Sequence, residues 1–183
     1  MDPSDPDWTP RNENGISHNH KYGWGLLNVA ELVRYAILWQ SVPAELSCST
    51  RVNNVGGVVL QDGQSAWSWP VDMTAACAGT PGAAINYIEY VTLTVKIQAA
   101  HRGDVAITVR DPLFVKSVMA LGHSDSSAFP SEGWTYGSAR HMGQPMTGSW
   151  SVTIGDVKNN GRRVTVQSVQ MTIYGHVKVL GGN

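Results

Sequence analysis

The chain has 183 residues, a formal net charge of −1 and only 15% charged side chains. This length allows one domain with its own core plus an appendage, and the charge provides no general attraction to nucleic acid or anionic lipid. No apolar run approaches the roughly 20 residues of a membrane-spanning helix. Residues 1–7 are acidic and Pro-rich, unlike a signal peptide, so we expect a fragment of a longer precursor or a protein made without export.

One helix is predicted over about residues 28–40. Asn28 can cap its start, and Glu31 follows three residues later in an approximate capping box. Apolar residues then recur at helical spacing until Pro43 prevents continuation. Because a single helix is stabilised mainly by its neighbours, this apolar stripe must cover the strands that follow, cover another chain, or remain bare.

From about residue 45 the pattern becomes that of strands. Apolar residues alternate with polar ones at Val91, Leu93, Val95 and Ile97, which predicts a strand with one buried face. Residues 105–110 are predicted as its return strand. Arg102-Gly103-Asp104 then forms the tight turn of a β-hairpin, where Gly and Asp are favourable residues.

Two further strands are predicted at 149–155 and 163–175, with the Asn160-Gly161 pair in the turn between them. The stretch 112–148 is rich in Ser, Gly and Pro, and we expect long loops with one or two strands there. Short strands at such intervals are typical of β-sandwiches. The predicted fold is mainly β, a jelly-roll-like antiparallel β-sandwich with one N-terminal helix.

Several segments occur in an order that is characteristic as a set. They are Asp7-Trp8, Ser17-His18 through Gly25-Leu26-Leu27, Glu89-Tyr90-Val91, Arg102-Gly103-Asp104-Val105-Ala106-Ile107, Gly148-Ser149-Trp150 and Met171-Thr172-Ile173-Tyr174-Gly175. This series resembles the proprotein convertases, the kexin and furin relatives of subtilisin. The resemblance divides the chain into the C-terminal tail of a peptidase domain at 1–44 and a P domain, or Homo B domain, at 45–183. The chain departs from the family at Leu113-Phe114, where Gly-Thr is common, and at Met142 and Gln144, where Trp and Glu are usual.

The resemblance implies a parent protein that is a calcium-dependent serine endopeptidase, cleaving secretory-pathway precursors after basic residues in the Golgi or outside the cell. This fragment would then stabilise and regulate its partner, the subtilisin-like catalytic domain, without being catalytic itself. Calcium is expected in that catalytic domain, and no cofactor is expected in this chain. His18, Tyr22 and Trp24 are the residues that we expect at the contact between the two domains.

No active site is predicted within the chain. A subtilisin-type site needs Asp, His and Ser in motifs that lie upstream of this region in the family. Gly122-His123-Ser124-Asp125-Ser126 approximates a nucleophile elbow, but it lacks the closing Gly and lies in a loop-rich stretch.

Cys48 and Cys77 are the two cysteines of the chain. They could form a disulfide, act as reactive thiols or bind a metal, but their separation matches no compact zinc pattern. A disulfide is favoured, because secretory compartments are oxidising and the convertase family has a comparable bridge.

Other residue patterns leave alternatives open. His18 and His20 would share one face of an extended segment and could bind a metal, although ordinary interdomain histidines are favoured. Arg102-Gly103-Asp104 also spells an integrin-recognition tripeptide, but we favour its role as a turn.

The seven Trp residues offer a further choice. Trp67 and Trp69 lie on the same side of a strand, where they could form a sugar-binding platform in an independent carbohydrate- or protein-binding module. Core packing is expected of most of the others. Trp134 and Trp150 would pack between the sheets, Tyr136 would anchor the loops beside Trp134, and Trp24 and Trp39 would seal the helix.

Overall fold

The computed structural model describes residues 2–12, 15–63 and 66–178. Its helices are α1 (Val29–Ala36) and α2 (Met73–Cys77), with 3₁₀ turns at Pro81–Ala84 and Arg102–Asp104. The strands are β1 (Leu46–Ser49), β2 (Asn53–Leu60), β3 (Ala66–Asp72), β4 (Tyr87–Ala99), β5 (Val105–Arg110), β6 (Lys116–Ala120), β7 (Trp134–Ser138), β8 (Ser149–Asp156) and β9 (Val164–His176). Neither α1 nor α2 is long and apolar enough to cross a bilayer.

The strands form two antiparallel sheets that face each other across one core. One sheet has the order β1-β9-β4-β7, with β2 also paired to β9, and the other has the order β3-β8-β5-β6. The alternating residues of β4 point into the core as predicted: Val91, Leu93, Val95 and Ile97 are at most 3% exposed. The mainly β sandwich with one N-terminal helix is therefore confirmed, as are the strands predicted near 149–155 and 163–175.

The predicted hairpin between β4 and β5 is wrong. The two strands belong to different sheets, because β4 pairs with β9 and β7 whereas β5 pairs with β8 and β6. Arg102-Gly103-Asp104 is still a turn, but it carries the chain from one sheet to the other. Alternating apolar residues show that both strands face the core. The same alternation occurs whether the two strands are neighbours in one sheet or belong to two sheets that face each other.

The predicted helix is present and shorter than expected. The Asn28 side chain accepts a hydrogen bond from the Glu31 backbone N–H at 3.2 Å, so the predicted cap is confirmed. The α-helix ends at Ala36 rather than near residue 40. None of its residues is buried, so the apolar stripe has no packing partner that covers it. The last turn is supported by surface contacts, an ion pair between Glu31 and Arg34 and the stacking of Arg34 over the Tyr35 ring.

The predicted disulfide between Cys48 and Cys77 is present, with its Cα atoms 5.8 Å apart. Cys48 lies on β1 of the five-stranded sheet. Cys77 ends α2, which follows directly from β3 of the four-stranded sheet. The bond therefore connects the two sheets at one end of the sandwich.

The tryptophans divide between the core and the surface. Trp150 is 1% exposed and donates its indole N–H to the Met146 carbonyl at 2.9 Å, which confirms its place between the sheets. Trp134 is 41% exposed, so it is not packed between the sheets as predicted, and Trp39 is 69% exposed, so it does not seal the helix. Trp24 contacts His18 and not α1. The loop-rich stretch contains two strands, β6 and β7, as predicted.

Candidate functional site at the junction of N-terminal segment and sandwich

The residues before α1 lie along one open edge of the sandwich. We refer to the described residues 2–12 and 15–25 as the N-terminal segment. It contacts edge strand β6 at Val118 and the loop after β7 at Arg140 and Met142. These contacts hold the N-terminal segment, which leads into α1, against the sandwich.

Arg140 is the centre of this junction and is 7% exposed. Its Nη2 donates to the carbonyl oxygen of Asp7 at 2.8 Å and to the Asp7 carboxylate at 3.0 Å. Its Nη1 lies 3.2 Å from His18 Nδ1. Burial lowers the pKa of Arg140 and Asp7 partly offsets this effect, but a guanidinium remains charged at any physiological pH. The junction is thus a partly buried ion pair with a histidine as an additional acceptor.

His20 links Asp7 to the edge of the four-stranded sheet. Its Nδ1 lies 2.8 and 3.0 Å from the two Asp7 carboxylate oxygens, and its Nε2 accepts the Val118 N–H at 3.1 Å. An imidazole that accepts at Nε2 and faces a carboxylate at Nδ1 is the neutral tautomer protonated at Nδ1. Burial raises the pKa of Asp7, but His20 and Arg140 outweigh that effect and the pKa is lowered overall. The side chain of His20 thus accepts a hydrogen bond from a backbone N–H of edge strand β6, that of Val118.

Two of the three residues predicted at the domain contact, His18 and Trp24, lie close together. Their ring centroids are 4.8 Å apart in an edge-to-face arrangement. Tyr22 stacks on Trp8 instead, at 5.9 Å, and is 37% exposed. All three residues thus contact their own chain, and their role at a domain interface stays a prediction.

The metal-binding alternative for the two histidines receives no support from this geometry. Both ring nitrogens of His20 already face hydrogen-bond partners, so neither has a lone pair available to a metal. Within residues 2–12, 15–63 and 66–178, no three His, Cys, Asp or Glu side chains are grouped closely enough to bind a metal ion.

The stability of the junction should depend on pH through His18. Burial, followed by the nearby Arg140 and His20, lowers the pKa of His18 from 6.5 to about 4. As pH falls from 6.5 to about 4, the unfolded chain gains a proton that the folded chain does not accept, so the folded state loses stability. We expect His18→Gln to remove a loss on the order of 2 kcal/mol over this interval, measured by urea unfolding at several pH values.

A matched control for this prediction is His123→Gln, which replaces an exposed histidine outside the junction. The control should keep the pH dependence of the unmodified chain. Equal slopes of stability against pH for the unmodified chain and His18→Gln would contradict the prediction.

An apolar surface follows the junction directly. We define the α1 surface as the exposed large apolar side chains from residue 26 to residue 39. Its members are Leu26, Leu27, Val29, Leu32, Val33, Tyr35, Ile37, Leu38 and Trp39, which are between 51% and 82% exposed. Scattered single apolar residues are normal on protein surfaces, whereas a continuous set of this kind marks an interaction site.

Comparisons with known proteins identify the sandwich. The family model described as the proprotein convertase P-domain matches residues 88–173. The chain contains a proprotein convertase P domain. Neuroendocrine convertase 2 from Sus scrofa is 27% identical over 170 residues, covering 90% of this chain and 26% of that protein. Human proprotein convertase subtilisin/kexin type 7 is 31% identical over 170 residues, covering 91% of this chain and 21% of that protein. The chain thus spans about a quarter or less of these relatives.

A solved structure supports the fold of the P domain. The serine protease of Aeromonas sobria matches with a TM-score of 0.72 and 19% identity, over 92% of this chain and 33% of that one. At this identity the match shows the shared architecture. It extends beyond residues 88–173, so it includes parts of the chain outside the family match.

In the P domain the Arg102-Gly103-Asp104 turn is enclosed by its neighbours. The loop after β6 brackets it with backbone hydrogen bonds, from Arg102 N to Ser127 O at 2.8 Å and from His123 N to Gly103 O at 2.9 Å. A Cβ atom on Gly103 would lie 2.3 Å from the His123 carbonyl oxygen, so the close approach requires glycine. Asp104 is 5% exposed and is not displayed for recognition by an adhesion receptor.

The other candidate motifs have structural positions in the P domain. Ser124 lies in the loop between β6 and β7, not at a strand-to-helix turn, so the nucleophile-elbow geometry is absent there. Trp67 and Trp69 lie on the same face of β3 as buried Val71 and pack half-buried against the core. That orientation does not suit an exposed sugar platform.

Two buried residues of the junction region had no role in the sequence-based prediction. Arg140 follows β7 in a stretch that was noted only for its departure from the family pattern. His141, next to it, is fully buried and its Nδ1 lies 3.0 Å from Asp111 Oδ2. Asp111 also accepts the Val115 N–H at 2.8 Å and so closes the loop in which Phe114 has a φ of 66°. A charged or polar residue within a loop-rich stretch gives no periodic signal. The sequence therefore predicts neither the Arg140–Asp7 pair nor the His141–Asp111 pair.

Proposed function

We propose that this chain is the P domain of a secretory-pathway, subtilisin-like serine endoprotease that cleaves precursors after basic residues. Residues 1–44 are then the end of the peptidase domain. The fragment stabilises and regulates the catalytic domain by contact with it and performs no catalysis itself. Calcium belongs to the catalytic domain in this proposal. The match to the P-domain family and the convertase relatives supports the assignment.

The observation that carries the proposal is the α1 surface. Leu32, Val33 and Ile37 are 51%, 56% and 79% exposed, although their helical spacing is that of residues with a packing partner. The N-terminal segment, which leads into this helix, is held to the sandwich by the contact between Arg140 and Asp7. A domain that precedes the segment in the chain is therefore the natural partner for the uncovered apolar side chains.

The test uses the complete gene product that carries a subtilisin-like domain before residue 7. Replacing Leu32 and Val33 together by Asp should at least halve peptidase activity on a paired-basic peptide and lower the melting temperature, because two charges would be buried at the contact. Arg51→Asp is the control, since Arg51 is exposed, lies before β2 and is outside the α1 surface.

Two results would contradict the proposal. One is a complete gene product that has no subtilisin-like domain. The other is full activity and unchanged melting in the double variant. The isolated chain should show no turnover of the paired-basic peptide in any case.

An independent binding module is the second candidate function. The Trp67 and Trp69 platform does not favour it, because both indoles pack against the core. A separate cleft between β6 and β7 does favour it.

A further inference from the structure

A cleft of about 470 Å³ opens between β6 and β7, the edge strands of the two sheets. The residues that line it are Arg102, Met119, Ala120, Leu121, His123, Asp125, Trp134 and Tyr136. The cleft is distinct from the junction, because Arg140, Val118 and Met142, which bond to the N-terminal segment, do not line it. The volume lies within the roughly 300–1,000 Å³ that is typical of small-molecule sites.

One wall of the cleft is aromatic. On β7, Trp134 pairs with Val95 and Tyr136 pairs with Leu93, so both rings lie on the face of the sheet that covers the core. Their centroids are 6.4 Å apart. Trp134 is nevertheless 41% exposed, in contrast to Trp150 at 1%. An indole on the inner face that remains open to solvent offers a flat apolar surface to a ligand.

A pair of charges lies beside this wall. The Arg102 guanidinium lies over the Trp134 ring, 5.4 Å from its centroid, and its Nε pairs with the Asp125 carboxylate. Asp125 also accepts the Ser127 N–H at 2.8 Å. The hydrogen bond from Arg102, reinforced by Ser127, holds the pKa of Asp125 well below its usual range, so the carboxylate stays ionised. A hydrogen-bond donor and an acceptor are therefore positioned side by side next to the indole.

The chemistry of this cleft selects a class of ligand. Because the charges of Arg102 and Asp125 cancel, this pair attracts neither anions nor cations strongly. A purely apolar ligand would cover the ion pair and displace the water bonded to it, and it would offer no hydrogen bonds in return. A neutral sugar ring suits this arrangement, with its C–H groups against the exposed part of Trp134 and adjacent hydroxyls bonded to the carboxylate and the guanidinium.

We propose that the cleft between β6 and β7 binds a neutral hexopyranose residue of a glycan. This proposal does not depend on attachment to a peptidase domain. An extended peptide that adds to the edge of β7 is the competing occupant, and the experiment distinguishes the two.

The experiment screens the full chain against an array of neutral oligosaccharides built from mannose, glucose and galactose. The best binder is then titrated while the indole N–H signals are followed by NMR. Trp134→Ala should weaken binding by about tenfold or more, since the aromatic contact is lost together with its apolar area. Trp39→Ala is the matched control, because Trp39 is also exposed but lies on the α1 surface.

A shift of the Trp134 indole signal by the sugar, together with weaker binding in Trp134→Ala but not in Trp39→Ala, would establish the site. Asp125→Asn should also weaken binding, because it replaces one of the two acceptor oxygens by an NH2 donor and removes the charge that pairs with Arg102, while Trp134 remains. Three outcomes would overturn the proposal: no binding to any neutral oligosaccharide, binding unchanged in Trp134→Ala, or displacement of the Trp134 signal by a pool of extended decapeptides with no response to sugars. Circular dichroism confirms that each variant is folded.

Discussion

Replacing Cys48 and Cys77 together by Ala is expected to lower the free energy of unfolding by about 3–4 kcal/mol, in the chain-entropy treatment of a closed loop. The bond closes a loop of 29 residues and connects β1 with the end of α2, so its loss releases both sheets at one end. Cys77 is fully buried and Cys48 is 4% exposed, so small apolar replacements leave no buried polar group. Urea unfolding of the oxidised chain and the double variant measures the difference.

A reductant provides the control for this expectation. Dithiothreitol should reduce the stability of the unmodified chain to about that of the double variant, and it should leave the variant unchanged. The expectation fails if the double variant unfolds at the same urea concentration as the oxidised chain.

Arg140→Met is expected to lower the free energy of unfolding by about 2–3 kcal/mol and to release the N-terminal segment. Breaking a fully buried ion pair costs roughly 3–5 kcal/mol, and the smaller value applies because the Asp7 side chain is 35% exposed. Methionine fills a similar volume but cannot donate to the Asp7 carbonyl, the Asp7 carboxylate or His18. Urea unfolding gives the stability, and limited proteolysis followed by mass spectrometry gives the accessibility of residues 2–25.

Arg51→Met is the matched control, since Arg51 is exposed and lies before β2. It should change neither the unfolding midpoint nor the cleavage pattern. Unaltered proteolysis of the N-terminal segment in Arg140→Met would show that the other contacts, such as Asn12 Nδ2 to the Met142 carbonyl at 3.0 Å, are sufficient.

Local patterns in the sequence predicted what depends on local physics. The Asn28 cap, the alternation in β4 and the positive φ of Gly161 follow from neighbouring residues and are all present. Arrangement across the sandwich depends on distant residues. Arg140 and Asp7 are 133 positions apart, and no periodicity connects them.

The two errors about the sandwich have related causes. β4 and β5 were predicted as neighbours because strands close in sequence usually pair, whereas here the short turn crosses the core. Trp134 was predicted in the core because large aromatic residues are usually buried there. Its strand is at the edge of its sheet, so the ring faces inward without being fully covered.

The position of β9 affects how the chain can fold after synthesis. β9 pairs with β4 on one side and with β1 and β2 on the other, so three strands made early have the same late partner. β9 is synthesised after all of them, and until then these three strands lack the strand that joins them into one sheet. We therefore expect the domain to fold slowly and after translation of residue 176, with a period in which those strands can aggregate unless chaperones shield them.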